Sequence, residues 1–163
     1  MSPLRLGSAL LGCISLLAVA ACGERPQPSS ADAGGPVAQL SIDTAPALPA
    51  GGFCALDLVN GALAGELSSV LGDVAFRGWV VDASKSTDGE AALVLVGEQR
   101  HVAAVSRDVE RPDVAAALGA DSARMSGFNQ VVALDGLSAG EYRVHVASGG
   151  VECDTGKRIA VGG

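Results

Sequence analysis

From about Gly52 the chain is built of short runs rich in Val, Leu, Ala and aromatic residues, separated by Gly, Asp, Asn and Ser. Several short strands at such spacing fold into a sandwich or a barrel. The pattern predicts strands over Phe53–Val59, Val74–Val81, Ala91–Val96, His101–Ser106, Asn129–Leu134, Glu141–Ala147, Val151–Cys153 and Lys157–Val161. Within Glu141–Ala147, Tyr142, Val144 and Val146 alternate with Arg143 and His145, the signature of a half-buried strand. Lys85–Gly89 reads as a polar turn and Gly97–Gln99 as a tight connection. One short helix interrupts the strands. Pro112 suits its first position, Asp113 favours the positive end of its dipole, and Gly119 stops it after Leu118. The roughly 110 residues involved suffice for one domain with a modest core.

Residues 22–51 have a different character. Pro26, Pro28, Pro36, Pro46 and Pro49 fall there, with Ser29, Ser30, Gly34, Gly35 and many alanines between them. Such composition buries too little apolar surface to offset ordering and predicts a disordered linker. As a flexible coil, about 30 residues span on the order of 30 Å. Val37–Ile42 carries only a weak strand signal. The expected organisation is a signal over 1–21, a linker over 22–51 and a β-domain over 52–163.

The first 21 residues are apolar from Leu6 to Val19 behind Arg5, and with the residue that follows they complete Val19-Ala20-Ala21-Cys22. This stretch resembles the signal of bacterial lipoproteins. The resemblance implies cleavage before Cys22, acylation of that cysteine and attachment to a membrane outside the cytoplasm. Gly23 follows the cysteine in place of the aspartate associated with inner-membrane retention, which favours the outer membrane. Two rival readings are plain secretory cleavage and a retained transmembrane helix. A span needs about 20 apolar residues, and Leu6–Ala21 supplies fewer, diluted by Gly7, Ser8, Gly12 and Ser15. Two or more acyl chains hold stably where one holds marginally.

Removal of the signal leaves 10 Lys+Arg against 18 Asp+Glu, a net charge of −8. A nucleic-acid footprint would be basic, and an anionic lipid surface would repel this chain, so attachment falls to the anchor. Cys13 leaves with the signal and Cys22 is expected to be acylated. Cys54 and Cys153 remain, one near each end of the domain. In an oxidising compartment such a pair reads as a disulfide. Metal binding is the rival, but neither cysteine has a second Cys or a His nearby in sequence.

Three stretches then occur in order: Gly78-Trp79-Val80-Val81-Asp82, Arg111-Pro112-Asp113-Val114-Ala115 and Ser126-Gly127-Phe128. They resemble the Gly-Trp-x-x-Asp, Arg-Pro-Asp-Val-Ala and Gly-Phe signature of a bacterial immunoglobulin-like module. Such modules accompany glycosyltransferases and other envelope polysaccharide proteins. With the strand pattern, the resemblance implies an all-β fold. That fold is a single immunoglobulin-like β-sandwich of about seven strands with one short helix. The module is an accessory and carries over no catalytic residue. Trp79, Asp82, Arg111 and Asp113 are the candidate binding residues. Each also has a plain structural reading: Gly78 permits close backbone approach, Trp79 is a large apolar body, and Arg111 and Asp113 can satisfy loop and helix-end groups.

The sequence contains no Gly-x-Ser-x-Gly elbow and no phosphate-binding glycine loop. His101 and His145 are the only histidines, and His145 falls on the solvent side of its alternation. Catalysis would require one of them beside a carboxylate in a pocket. The expectation is therefore a non-enzymatic lipoprotein, without cofactor or metal, that binds or scaffolds another envelope protein. Polysaccharide binding is the alternative, weakened by one Trp, one Tyr and three Phe. Nucleic acid is not an expected partner.

Overall fold

The computed structural model describes residues 36–162. The lipobox-like stretch, Cys13, Cys22 and the linker up to residue 35 lie outside the described residues. In chain order the strands are β1 (Ala38–Gln39), β2 (Ser41–Ile42), β3 (Phe53–Val59), β4 (Ala62–Leu63), β5 (Leu67–Val70) and β6 (Asp73–Val81). They continue as β7 (Ala91–Val96), β8 (Arg100–Val105), β9 (Arg107–Val109), β10 (Gly127–Ala133), β11 (Gly140–Ser148) and β12 (Val151–Val161). Helix α1 (Pro112–Leu118) and a 3-10 turn over Asp121–Ala123 lie between β9 and β10.

The strands form two sheets, ordered β1-β10-β6-β3-β4, with β9 also on β10, and β2-β8-β7-β11-β12-β5. The fold is an all-β sandwich with one helix. Seven strands are six residues or longer, and the other five have two to four residues and sit mostly at sheet edges. Short edge strands limit unwanted pairing with other chains.

Alternation puts Val74, Phe76, Phe128 and Val132 of the first sheet against Leu93, Leu95, Val144, Val146 and Ile159 of the second, all fully buried. Burying each such side chain contributes about 1.5–3 kcal/mol. Cys54 on β3 and Cys153 on β12 are joined by a disulfide, Cα atoms 6.1 Å apart, which links the two sheets. Helix α1 matches its expected bounds. Gly119 closes it at φ 63°, the left-handed conformation that a glycine adopts at least cost.

Two expectations need correction. Val151–Cys153 and Lys157–Val161 are parts of one strand, β12, because the intervening residues form a bulge against β11. There Gly156 turns at φ 69°, its N–H donates to Asp154 Oδ1, and Thr155 Oγ1 donates to the Val144 carbonyl.

The second correction concerns the linker. Residues 36–51 belong to the folded body, which therefore includes at least 16 residues before the expected boundary at 52. β1 pairs in parallel with β10 in the first sheet, and β2 pairs antiparallel with β8 in the second. Leu40, between them, packs on the core. Residues 43–50 then run as a strap across the outer face of the second sheet. Asp43 N–H donates to the Arg100 carbonyl, Gly51 N–H to the Glu152 carbonyl, and Glu152 N–H to the Pro49 carbonyl. Prolines lack a donor but keep their acceptor, and Pro36 and Pro49 both use it. Local composition under-read this segment because its ordering comes from partners far away in sequence.

Candidate functional site

The four candidate binding residues are building elements of one corner. Trp79 lies on the outer face of the first sheet, half-buried with Val81, Val114 and Leu118 beneath α1. Gly78 is needed beside it: an added Cβ would collide with the Ala55 carbonyl and sit 2.9 Å from Phe128 Cζ. Asp82 Oδ1 accepts from Ser84 N, Ser84 Oγ and Ser86 N at 2.7–2.8 Å, shaping the loop after β6. The Ser84 hydroxyl and then the Ser86 N–H hold its carboxyl below the usual carboxylate range. From that loop Lys85 Nζ donates to the Leu118 carbonyl and stabilises the C-terminal end of α1.

Arg111 makes a two-pronged pair with Asp113, at 3.0 and 2.8 Å, and reaches Asp57 on β3 at 2.6 Å. Gly127 leaves room for it, since a Cβ there would meet Arg111 Cγ at 2.9 Å. The structure thus draws the three motifs together; Asp82 is engaged by Ser84 and Ser86, and Arg111 by Asp113 and Asp57, while the buried Ser126 hydroxyl has no hydrogen-bond partner among the described residues. The Arg111 hydrogen bonds lower the Asp113 pKa to about 2. Arg111→Ala is expected to return Asp113 to the ordinary range near 3.8. A carboxylate NMR titration reads this directly, and an unchanged midpoint would contradict the pairing.

The histidines divide. His101 is buried in the core, edge-on to Tyr142 at 6.2 Å. His145 departs from its expected solvent position: its side chain is 17% exposed and sits between two carboxylates. Nδ1 lies 2.6 Å from Glu152 Oε1, and Nε2 lies 3.5 Å from Asp154 Oδ2. Glu152 is itself clamped by both terminal nitrogens of Arg100, at 3.1 and 2.7 Å, and Arg100 reaches Asp43 of the strap at 3.4 Å. Burial raises the Glu152 pKa, but the Arg100 and His145 hydrogen bonds prevail and leave it lowered.

A histidine beside a carboxylate is one ingredient of general-base chemistry. Here no described hydroxyl or thiol hydrogen-bonds to the ring, and Glu152 is committed to Arg100. The chain of charges fastens the strap to β8, β11 and β12. Among the described residues, no group of three or more His, Cys, Asp or Glu is arranged to hold a metal ion.

A cleft lies beside this network. Register places Ala147 of β11, Ala92 of β7 and Ala104 of β8 directly opposite one another. These three outward methyl groups form a low row across the second sheet. The next outward row, His145, Val94 and Val102, is taller, and Val94 is buried. The step between them leaves an open cleft of about 1220 Å³. Leu48 of the strap lines it together with Gln39 of β1 and Ser41 of β2, as do Thr87, Arg107 and Met125. Sequence reasoning missed this cleft, although its signal was present: alanine stands at outward strand positions where polar side chains usually stand.

Compared with known proteins, the chain matches no family profile, no curated protein and no solved structure. Among the described residues, no helix is long and apolar enough to cross a membrane.

Proposed function

We propose that this protein is a lipid-anchored bacterial envelope module that binds another envelope protein in the alanine-floored cleft and performs no catalysis itself. The observation that carries the reading is the cleft. A binding surface is held on a cross-linked sandwich beside a charge network that offers no activated nucleophile. Recognition sites on rigid scaffolds have this character.

The anchor rests on the lipoprotein-like signal ending at Cys22, and Gly23 favours the outer membrane. Since residue 36 already belongs to the folded body, at most the 13 residues 23–35 separate that body from the lipidated cysteine, a reach of no more than about 50 Å. The head therefore works close to the membrane. Polysaccharide binding is less well supported, because Trp79 is engaged under α1 and no aromatic ring lines the cleft.

The test is chemical cross-linking of the full-length protein in living cells, followed by affinity capture, alongside palmitate labelling and membrane fractionation. The expected results are one stoichiometric envelope protein, a labelled membrane-bound chain, and loss of both label and membrane association in Cys22→Ser. Capture of glycan without protein, or a wild-type chain free of label, would overturn the corresponding half of the reading.

A further inference from the structure

Arg107 stands at the end of the cleft, where the chain leaves β8 in the second sheet for β9 in the first. Its guanidinium donates to Ser148 Oγ at 2.6 Å and to the Gly89 carbonyl, two uncharged acceptors on the cleft lining. The other partly buried arginines of the described residues each hold carboxylates: Arg100 has Asp43 and Glu152, and Arg111 has Asp57 and Asp113. Among the described residues, Arg107 has no carboxylate within ion-pair distance. Burial lowers its pKa, and Asp82 and Asp88 oppose that only through space. A half-buried guanidinium held by neutral acceptors keeps donors in a planar fork, a geometry matched to a carboxylate.

The rest of the lining narrows the ligand. Its floor is methyl groups, which suits small apolar side chains; Leu48 and Met125 add apolar walls, and Glu90, Gln39 and Thr87 add polar ones. The absence of an aromatic platform disfavours a stacked sugar ring. The pairing of β8 with β2 stops at Val102, and Ala104 and Val105 beyond it line the cleft. An extended peptide laid beside a strand edge is a recurrent recognition mode.

Resting on the reading of this chain as a protein-binding module, we infer that the cleft takes an extended peptide segment of the partner. That segment crosses the alanine row and sets a carboxylate on Arg107, from an Asp or Glu side chain or a free C terminus.

The test places a photo-cross-linking amino acid at Met125, an exposed cleft residue, in the full-length protein in living cells. Two sterically similar variants on the floor separate charge from size. Ala104→Glu is expected to cut the cross-link at least about tenfold, as like charge repels the peptide's carboxylate. Ala104→Lys is expected to retain or raise it. Arg107→Gln is expected to lower it by about tenfold or more, through loss of a charged hydrogen bond, with its unfolding midpoint confirming a folded head. The mapped partner peptide is expected to contain a carboxylate near the cross-linked position.

Equal loss in Ala104→Glu and Ala104→Lys overturns the carboxylate, as does an undiminished cross-link in Arg107→Gln. A cross-link to polysaccharide alone overturns the peptide. Failure of the wild-type chain to cross-link to anything removes the binding-module reading on which this inference rests.

Discussion

Replacing Cys54 and Cys153 with serine is expected to destabilise the domain by about 4 kcal/mol, close to the chain-entropy value for a loop of about 100 residues. The separation of 99 residues is what makes the effect large. Without the bridge, the unfolded chain regains nearly the whole freedom of the segment between β3 and β12. The native state loses a clasp as well, because β3 and β12 belong to different sheets and each lies one strand from an edge. Chain crossings also join the sheets, β4 into β5 on this side and β1 into β2 and β8 into β9 on the opposite one. At roughly 3–5 °C per kcal/mol for a domain of this size, the unfolding midpoint is expected to fall by about 12–20 °C. Thermal unfolding of the oxidised, reduced and serine forms reads it. A shift of only a degree or two would mean that the bridge carries little of the fold.

The second large effect is expected at Glu152. Its side chain is 6% exposed, while Arg100 and His145 are 20% and 17% exposed. Glu152→Ala leaves both basic groups without the carboxylate they share. Breaking a buried pair on one side costs about 3–5 kcal/mol, and partial solvation of Arg100 and His145 puts the expectation near the lower figure. Glu152→Gln keeps the shape and a hydrogen-bonding oxygen and is expected to cost less than alanine.

The pH dependence has a definite sign. The Glu152 pKa is lowered in the folded state relative to 4.5. Its contribution is therefore fully present above that value and lost as pH falls through the folded pKa. The stability gap between wild type and Glu152→Ala is expected to be present above pH 4.5 and to close as pH falls below it. Denaturant titrations across this range check it. A gap that widened in acid would contradict the pairing.

The long strands were legible because a half-buried strand writes its two faces into the sequence, as Tyr142, Val144 and Val146 show. Helix α1 was legible from Pro112 and Gly119 for equally local reasons. What escaped was non-local. Residues 36–51 are ordered by β10, β8 and the Glu152 backbone, all far along the chain. His145 has an outward position in its strand, as alternation requires, but Glu152 and Asp154 flank it. The cleft needs three alanines brought into register from strands up to 55 residues apart, and register is not a property of any one strand. The motif residues Trp79, Asp82, Arg111 and Asp113 were found readily, yet their partners show them holding the corner together.

The most direct test of the central claim fills the cleft and leaves everything else alone. Ala104 is exposed, outside the core, and distant in sequence from Cys22, Cys54 and Cys153. Ala104→Trp in the full-length protein is expected to reach the membrane in wild-type amount and unfold within a few degrees of the wild-type midpoint. Its capture of the envelope partner by in-cell cross-linking is expected to fall at least about tenfold. Equal capture by Ala104→Trp and wild type would contradict the account, because the partner would then be held by some other surface.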